Sequence, residues 1–289
     1  MPSRILHNHA VIIASTGRPG VLCDTLSSLS RLTVAPGLVI LSVTSAEDLP
    51  EQVHRPEIGI VFSARGLPIQ RNAGLARLPP EIEFVSFLDD DLELEPSYIE
   101  TMHSFLVEHR EHVIADGAVI RDGDVSRLEA RKLIEASWPV SHRFVNSINA
   151  YGCNMTVRRR VADIVRFDER LKLYAWLEDA DFSRRCLRHG ACAQVMNARL
   201  VHLRASSGRI NGRRFGFAQI TNSYYLQTKG QMSAAGLLMS HWGPALCSNA
   251  LGMATGSAAI DWSGRFRGNL IALRHILAGH CEPEYIEHI

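Results

Sequence analysis

The sequence lacks several features that would assign it to a class at once. It has no CxxC pair among its six cysteines, no GxGxxG or GxxxxGK[ST] loop and no internal repeat. The scattered cysteines fit neither a zinc site nor a disulfide framework, so we expect them to be reduced and mostly buried. Without glycine-rich loops, dinucleotide-binding and P-loop functions are unsupported.

The chain also lacks an excess of charge of either sign. Its 31 basic and 30 acidic residues leave a net charge of +1, which argues against a nucleic-acid partner. A hydrophobic content of 46% with 21% charged residues excludes wholesale disorder. The 289 residues are enough for one large α/β unit with an appendage.

Long hydrophobic runs are missing as well. The N-terminal run HAVIIAS is too short for the apolar core of a signal peptide, so we expect a cytoplasmic protein. Residues 230–260 contain no Asp, Glu, Lys or Arg, but Pro, Asn, Gly and Ser interrupt the stretch. Packed or membrane-surface helices are therefore favoured over a span. The following GRFRGNLIALRHILAG is a basic amphipathic segment, typical of peripheral membrane contact or of an ordinary surface helix.

Short apolar runs alternate with helical patterns in the N-terminal part. The runs are rich in β-branched and aromatic residues and occupy residues 9–15, 37–43, 58–64 and 83–89. Residues 19–32 and 68–78 show helical spacing and begin with proline, which a first helical turn tolerates. This alternation predicts a largely parallel sheet covered on both faces, with ligands beyond the carboxyl ends of the strands.

A second section, residues 112–205, has a different pattern. It contains the strand-like pieces VIADGAVI, VNSINAYG and CAQVMNARLVHL, and a helix near residues 178–189. From about residue 213 onward the pattern is helical.

Three consecutive carboxylates follow the fourth apolar run. Asp89, Asp90 and Asp91 in FVSFLDDDLELEP would repel one another unless a cation neutralised them. Hard divalent ions such as Mg²⁺ or Mn²⁺ take such oxygen ligands and share them with phosphates. The alternative is a solvated acidic turn that caps the next helix.

A second acidic group opens the helix in YAWLEDADFSRRCLRHG. Glu178, Asp179 and Asp181 suit the positive end of the helix dipole, and pairing with arginines one turn later is common. The aromatic residues Tyr174 and Trp176 indicate instead a walled pocket in which a carboxylate could act as a base.

Other polar residues follow the first and third runs and the last strand-like piece. Thr16 and Arg18 lie in a strand-to-helix turn, and Arg71 lies where the next helix begins. Such positions favour phosphate or carboxylate ligands. His202 ends the run LVHL and is either a structural histidine or a metal ligand beside Asp91.

The order of these motifs resembles that of the bacterial family 2 glycosyltransferases. The matching segments cover roughly residues 9–205 and continue in the tail segments NSYYLQTKG and GRFRGNLIAL. They read VIIASTGRPGVLCDTLSSL, GLPIQRNAGL, FVSFLDDDLELEPSYIE, YGCNMTVRRR, RFDERLKLYAWLEDADFSRRCLRHG and LVHL.

The resemblance implies a GT-A fold with C-terminal helices. A Rossmann-like nucleotide-binding half and an acceptor-binding half would share one mixed sheet. The catalytic domain would span residues 1–212, and a helical extension residues 213–289. Family members transfer a sugar from a nucleotide donor to an acceptor hydroxyl with inversion, here in exopolysaccharide or other cell-surface glycan assembly.

The resemblance also implies a donor site with a divalent metal, Mn²⁺ or Mg²⁺. By the family's DxD motif, Asp91 would contact the metal and Asp89 the ribose or the metal shell, with Asp90 between them. Thr16, Arg18 and Arg71 match nucleotide-binding positions, and His202 matches a position that reaches the metal or the diphosphate.

For the acceptor side, the family's ED motif makes Asp179 the general base, and Glu178 would position the acceptor or assist catalysis at the site. Asp181 would orient Arg185 or cap the helix. Residues matching the sugar and acceptor pocket are Gly152, Asn154, Met155 and Trp176. The acceptor would be a glycan or a lipid-linked sugar, and the enzyme would work at the inner face of the cell membrane.

One segment departs from the family pattern. After the second strand many members carry an acidic residue in a DNxS-like turn that contacts the nucleobase, whereas this chain reads LSVTSAEDLP. The usual nucleobase contact is therefore missing from the pattern, so the sequence does not select a nucleobase, and UDP is the default donor nucleotide.

Two other classes remain open. A metal-dependent sugar nucleotidyltransferase would release pyrophosphate from a nucleoside triphosphate. The segment TGRPG weakly resembles the Gly-, Arg- and Lys-rich first loop that binds the triphosphate in such enzymes. A non-catalytic nucleotide-sugar-binding partner would tend to lose one of the two acidic motifs, and both are present here.

Overall fold

The protein consists of two compact units, each formed by three segments of the chain. The computed structural model describes residues 4–51, 53, 57–123, 125–136, 140–204, 211–256 and 260–289. The first unit is formed by Met1–Arg65, Ile69–Phe167 and Phe182–Gly208. The second is formed by Gly66–Pro68, Asp168–Asp181 and Arg209–Ile289. The predicted boundary at residue 212 would instead assign the two short segments of the second unit to the catalytic domain.

A mixed sheet is the centre of the first unit. Its strands are β1 (Arg4–Ala14), β2 (Val34–Val43), β3 (Ile58–Phe62), β4 (Phe84–Leu88), β5 (Leu92–Leu94), β6 (His112–Asp122), β7 (Phe144–Ser147), β8 (Asn154–Arg158) and β9 (Ala191–His202). Within the described residues the order is β3-β2-β1-β4-β8-β6-β9-β5, and β7 also pairs with β9. The strands β3, β2, β1 and β4 are parallel, whereas β8 runs antiparallel to both of its neighbours.

Both faces of this sheet are buried. Along β1, Val11 and Ile13 belong to one apolar cluster, and the alternate residues Ala10 and Ile12 belong to another. This two-residue alternation is the period of a strand, and each face is covered by helices. The helices of this part of the chain are α1 (Pro19–Leu29), α2 (Leu67–Leu75), α3 (Tyr98–Glu108), α4 (Arg127–Glu135), α5 (Arg159–Val165) and α6 (Glu178–Cys186).

The four predicted N-terminal strands and two helices are confirmed within a few residues. The proline at residue 19 begins α1, in agreement with the tolerance of a first helical turn for proline. The carboxyl ends of β1 and β4 lie side by side, because Ile13 pairs with Leu88 in a parallel register. The segments after these two strands therefore meet at one edge of the sheet.

The second unit is helical beyond residue 211, as predicted. Its elements are α7 (Gly212–Thr228), α8 (Ala234–Gly236), a π-helical turn (Leu237–Trp242), α9 (Gly243–Thr255), α10 (Trp262–Leu277) and a 3₁₀ turn (Pro283–His288). None of the described helices combines the length and apolar character that a membrane crossing requires.

Glycines allow α7 and α10 to touch backbone to backbone. A Cβ atom at Gly216 would overlap the carbonyl group of Arg265, and one at Gly268 would overlap that of Arg213. Close backbone approach is the reason for small residues four apart at a helix interface. The buried Asn269 side chain donates to the Gly216 carbonyl oxygen over 2.7 Å.

Candidate active site

The three consecutive aspartates form a turn between β4 and β5. Asp89 donates its backbone N–H to the carbonyl oxygen of Cys153, 2.9 Å away, directly before β8. Asp90 is fully buried, Asp91 is nearly so, and the Asp89 side chain is about a quarter exposed. The three neighbouring side chains thus have three different environments.

Asp90 holds the β1–α1 segment against this turn. Ser15 Oγ donates to Asp90 Oδ2 over 2.5 Å, and Arg18 Nε donates to the same oxygen over 3.2 Å. A second guanidinium nitrogen of Arg18 pairs with Asp90 Oδ1. Burial raises the pKa of Asp90 to about 7, against the opposing effects of Arg18 and Ser15. Arg18 also lies 3.6 Å from Asp91 Oδ2.

Asp91 and Asp89 lie next to His202. His202 Nε2 is 3.2 Å from Asp91 Oδ1 and 4.0 Å from Asp89 Oδ2. The antiparallel pairing of Leu92 with His202 brings the end of β9 to the aspartate turn. These are the residues that the sequence predicts for a metal site, and their ligand atoms lie within 4.8 Å of one another.

Asp122 fixes the orientation of the His202 ring. Asp122 Oδ1 accepts a hydrogen bond from His202 Nδ1 over 2.9 Å, which directs Nε2 toward Asp89 and Asp91. Arg204 donates to both Asp122 oxygens, each over 2.6 Å. A carboxylate that holds the second nitrogen of a metal-binding histidine is common in metal sites. Sequence analysis missed Asp122, although it ends the strand run that begins with VIADGAVI.

The charges in this cluster shift pKa values in opposite directions. Burial lowers the pKa of His202, but Asp91, Asp89 and Asp122 outweigh it, so the pKa is raised overall. Burial raises the pKa of Asp89, and Asp91 adds to this effect, while Arg71 and His202 oppose it. Two carboxylates this close share a site most readily when a cation lies between them.

The donor set fits a divalent cation of the manganese type. Carboxylate oxygens suit Mg²⁺ and Mn²⁺ alike, whereas an imidazole nitrogen is more typical of transition ions. Asp89, Asp91 and His202 supply both kinds of donor. Mn²⁺ therefore matches this set better than Mg²⁺ does.

The turn after β1 is tied to the segment after β2 by Asp48. Gly17 has a positive φ of 68° and donates its N–H to Asp48 Oδ1 over 2.6 Å. The other carboxylate oxygen accepts hydrogen bonds from Thr44 and Ser45. Burial raises the pKa of Asp48, but these hydrogen bonds together lower it below its usual value. Asp48, one of the two acidic residues of LSVTSAEDLP, is thus buried and hydrogen-bonds the turn after β1 to the segment after β2.

Arg71 on α2 connects the aspartate turn to the segment before β8. Its buried side chain donates to Asp89 Oδ1 over 3.1 Å and to the Gly152 carbonyl oxygen over 2.7 Å. The guanidinium carbon lies 5.3 Å from the centre of the Phe167 ring. The neighbouring Gln70 donates to the carbonyl oxygens of Ser15 and Ser42.

Two of the predicted pocket residues lie in the core. Asn154 is fully buried, and its Oδ1 accepts hydrogen bonds from Gly117 N–H over 2.6 Å and from the Tyr98 hydroxyl over 3.0 Å. Met155 is fully buried among apolar side chains.

Thr16 Oγ1 lies 3.4 Å from Gln70 Oε1 at the end of β1.

In the second unit, the segment before Glu178 has an unusual backbone. Leu173, Ala175 and Leu177 all have positive φ values, 59°, 53° and 69°. Such conformations cost energy in residues other than glycine, and they occur often at functional sites. Trp176 lies between two of them, and its carbonyl oxygen accepts a hydrogen bond from Asn222 over 2.8 Å.

The acidic motif begins α6 directly after these residues. Glu178 is buried and Asp179 is partly exposed, with Asp179 Oδ1 accepting the Ala180 N–H over 2.8 Å. Asp181 is fully buried, pairs with the Lys229 ammonium group and accepts a hydrogen bond from Gln231 over 2.6 Å. The sequence predicts Arg185 as the partner of Asp181 or a capping role, whereas the partner in the structure is Lys229, which directly follows α7.

Comparison with known proteins shows a likeness among solved structures. No protein-family model and no curated protein matches the chain. Among solved structures, residues 1–349 of TarS from S. aureus, in complex with UDP-GlcNAc, match with a TM-score of 0.57 and 12% identity. The match covers 94% of this chain and 92% of that one. At this identity the likeness shows the fold, and the predicted GT-A fold with C-terminal helices is confirmed.

Proposed function

We propose that this protein is an inverting glycosyltransferase that moves a sugar from a nucleotide donor to an acceptor hydroxyl. The proposal rests mainly on the cluster of Asp89, Asp91 and His202, which lies at the carboxyl edge of the parallel strands of the sheet. Ligands of open α/β sheets bind at this edge. The likeness to a GT-A protein that holds UDP-GlcNAc supports a nucleotide-sugar donor.

Asp89, Asp91 and His202 would hold the divalent ion. When bound, such an ion neutralises the negative charge that develops on a departing diphosphate. Asp122 would keep His202 Nε2 directed at the ion, and Arg71 would hold Asp89 in place. Thr16 and Arg18, in the segment after β1, are proposed to contact the nucleotide.

Asp179 is the proposed general base, on the strength of the motif and of the strained backbone before it. It would accept the proton of the acceptor hydroxyl while that oxygen forms a bond to the anomeric carbon. The bond from this carbon to the diphosphate oxygen breaks on the opposite face, with inversion. A single displacement of this kind needs no enzyme nucleophile, as in inverting glycoside hydrolysis.

The donor nucleotide is proposed to be UDP. The complex of the structural neighbour with UDP-GlcNAc favours uridine over thymidine, guanosine or adenosine. Gly152 and Trp176 are proposed to line the sugar and acceptor pocket, and Asn154 and Met155 to support it from the core.

The acceptor is proposed to be a glycan or a lipid-linked sugar, approached at the inner face of the cell membrane. One stripe of α10 carries Arg267, Leu270, Arg274 and Leu277, all exposed. Arg267 and Arg274 also line a surface cavity of about 470 Å³, to which Arg213 contributes a third guanidinium group. Arginines beside exposed leucines are typical of a helix that lies on an anionic membrane.

The test is turnover of nucleotide sugars in the presence of Mn²⁺. The purified protein should release UDP from a UDP-sugar when a suitable acceptor is added, and the product should carry the inverted anomeric configuration by NMR. Release of pyrophosphate from a nucleoside triphosphate would instead identify a nucleotidyltransferase. Binding of UDP without release from any sugar donor or acceptor would favour the non-catalytic partner.

A further inference from the structure

A second group of possible metal ligands lies at the junction of α3 and β6, apart from the aspartate turn. His109 directly follows α3, and Glu111 and His112 lead into β6. The His112 N–H donates to the His109 carbonyl oxygen over 3.0 Å, which closes the turn. Glu111 Oε1 lies 3.5 Å from His109 Nδ1 and 3.2 Å from His112 Nδ1. The three ligand atoms lie within 4.8 Å of one another.

The neutral His112 tautomer that donates to Asn146 has a lone pair on Nδ1, facing this group. Asn146 Oδ1 lies 2.9 Å from His112 Nε2, and an amide oxygen can only accept, so Nε2 carries the hydrogen. His112 is 3% exposed, and its Nδ1 is buried with no hydrogen-bond partner among the described residues. The atom facing Nδ1 is a carboxylate oxygen of Glu111, which is also an acceptor. A cation between them would satisfy both.

The surroundings suit a bound ion. The Phe105 and Phe144 rings lie 4.7–5.3 Å from the rings of both histidines and form an apolar wall. Glu111 is 63% exposed, so an ion can enter from solvent and keep water as a further ligand. Asn146 holds the remote nitrogen of His112, as partners of metal-binding histidines do.

We propose that His109, Glu111 and His112 bind a divalent transition-metal ion, with Zn²⁺ the best match. Two imidazole nitrogens, one carboxylate oxygen and a water make a four-coordinate set of the kind that zinc takes. Imidazole-rich ligands favour transition ions over Mg²⁺, so this site differs in selectivity from the oxygen-rich aspartate turn. The inference is independent of the proposed glycosyltransferase activity.

The test is calorimetric titration of the full chain with ZnCl₂, supported by the visible spectrum of the Co²⁺ form. Replacing the partner of a metal ligand weakens binding about 10–100-fold, so removing a ligand in His109→Gln or Glu111→Gln should cost at least as much at this site. The Co²⁺ absorption bands should weaken in the same variants. Asn146→Ala should weaken zinc binding about 10–100-fold while leaving all three ligands in place.

His280→Gln is the matched control. His280 Nδ1 lies 3.8 Å from Glu282 Oε1 in an exposed histidine–glutamate pair that belongs to neither cluster. This variant should bind zinc as the wild type does. Equal binding by the wild type and His109→Gln, or no zinc binding by the folded wild type, would overturn the proposal.

A second comparison separates the two metal sites. Asp91→Asn removes a ligand from the aspartate turn and should leave the His109 site intact. Loss of all zinc in Asp91→Asn, with full binding in His109→Gln, would assign the ion to the aspartate turn and overturn the proposal. Far-UV circular dichroism and the metal-free melting temperature verify that each variant is folded.

Discussion

His202 Nε2 lies 3.2 Å from Asp91 Oδ1, with the opposite nitrogen of the same ring held by Asp122. The pairing of β5 with β9 brings these two residues together from distant parts of the chain. Because Asp122 fixes the ring, Nε2 is presented to Asp91 and Asp89 as a ligand for a cation. This relationship is the basis of the proposed donor site, and each residue in it can be tested separately.

Asp122 should act as a positioning residue for His202. Asp122→Ala frees the ring and should weaken Mn²⁺ binding about 10–100-fold, since outer partners of metal ligands typically contribute that much. Asp122→Asn keeps an oxygen acceptor for Nδ1 and should restore part of the affinity. Electron paramagnetic resonance of free Mn²⁺ measures both. If Asp122→Ala binds Mn²⁺ like the wild type, the orienting role is wrong.

Asp179→Asn should abolish sugar transfer while UDP still binds with wild-type affinity. The amide cannot accept the proton of the acceptor hydroxyl, so kcat should fall by at least about 100-fold, in line with the usual contribution of a general base. The matched control is Asp163→Asn, a partly exposed carboxylate on α5 that should retain full activity. Normal turnover by Asp179→Asn would refute the base assignment.

The exposed arginines of α10 should contribute to binding of anionic membranes. Each basic residue near such a surface contributes about 1 kcal/mol, which is roughly fivefold in affinity. With additive effects, the double variant Arg267→Gln/Arg274→Gln should therefore bind phosphatidylglycerol vesicles with about 25-fold lower affinity. Vesicle flotation over a range of lipid concentrations measures this affinity. Arg188→Gln, an exposed arginine in the first unit, is the control. Equal flotation with neutral and anionic vesicles would contradict a charge-based contact.

Gly268→Ala should destabilise the helical unit. Its new Cβ would overlap the Arg213 carbonyl group, and backbone atoms cannot move aside as a flexible side chain can. We expect a loss of about 1–3 kcal/mol, the usual cost of overpacking, in urea unfolding. Gly20→Ala in α1 meets no atom within 4 Å and should be neutral or stabilising. A Gly268→Ala variant as stable as the wild type would argue against this helix contact.

Local patterns predicted the N-terminal half of the sheet well. The runs that became β1 to β4 are apolar and bounded by polar clusters, and the carboxylates that follow β4 are adjacent in the sequence. Both signals are local, because a strand and the turn after it are encoded by neighbouring residues. The same holds for the helix that begins at Glu178.

Apart from the pairing of His202 with Asp91, features that depend on contact between distant segments were not predicted. The antiparallel insertion of β8 between β4 and β6 has no local signature, and it determines where Asn154 lies. Asp122 and Lys229 meet their partners only after the strands and helices assemble. The glycines of α7 and α10 did carry a signal, since Gly212 and Gly216 are four residues apart, as are Gly264 and Gly268. That spacing is typical of close helix packing.

The most direct test of the donor site is calorimetric titration with UDP, with and without Mn²⁺, of the wild type and of Asp91→Asn. Mn²⁺ should tighten UDP binding to the wild type, and Asp91→Asn should lose this gain. Asp24→Asn, an exposed carboxylate on α1, should behave as the wild type does. UDP affinity that is the same with and without Mn²⁺, or unchanged in Asp91→Asn, would contradict the assignment of Asp91 to a metal-dependent nucleotide site.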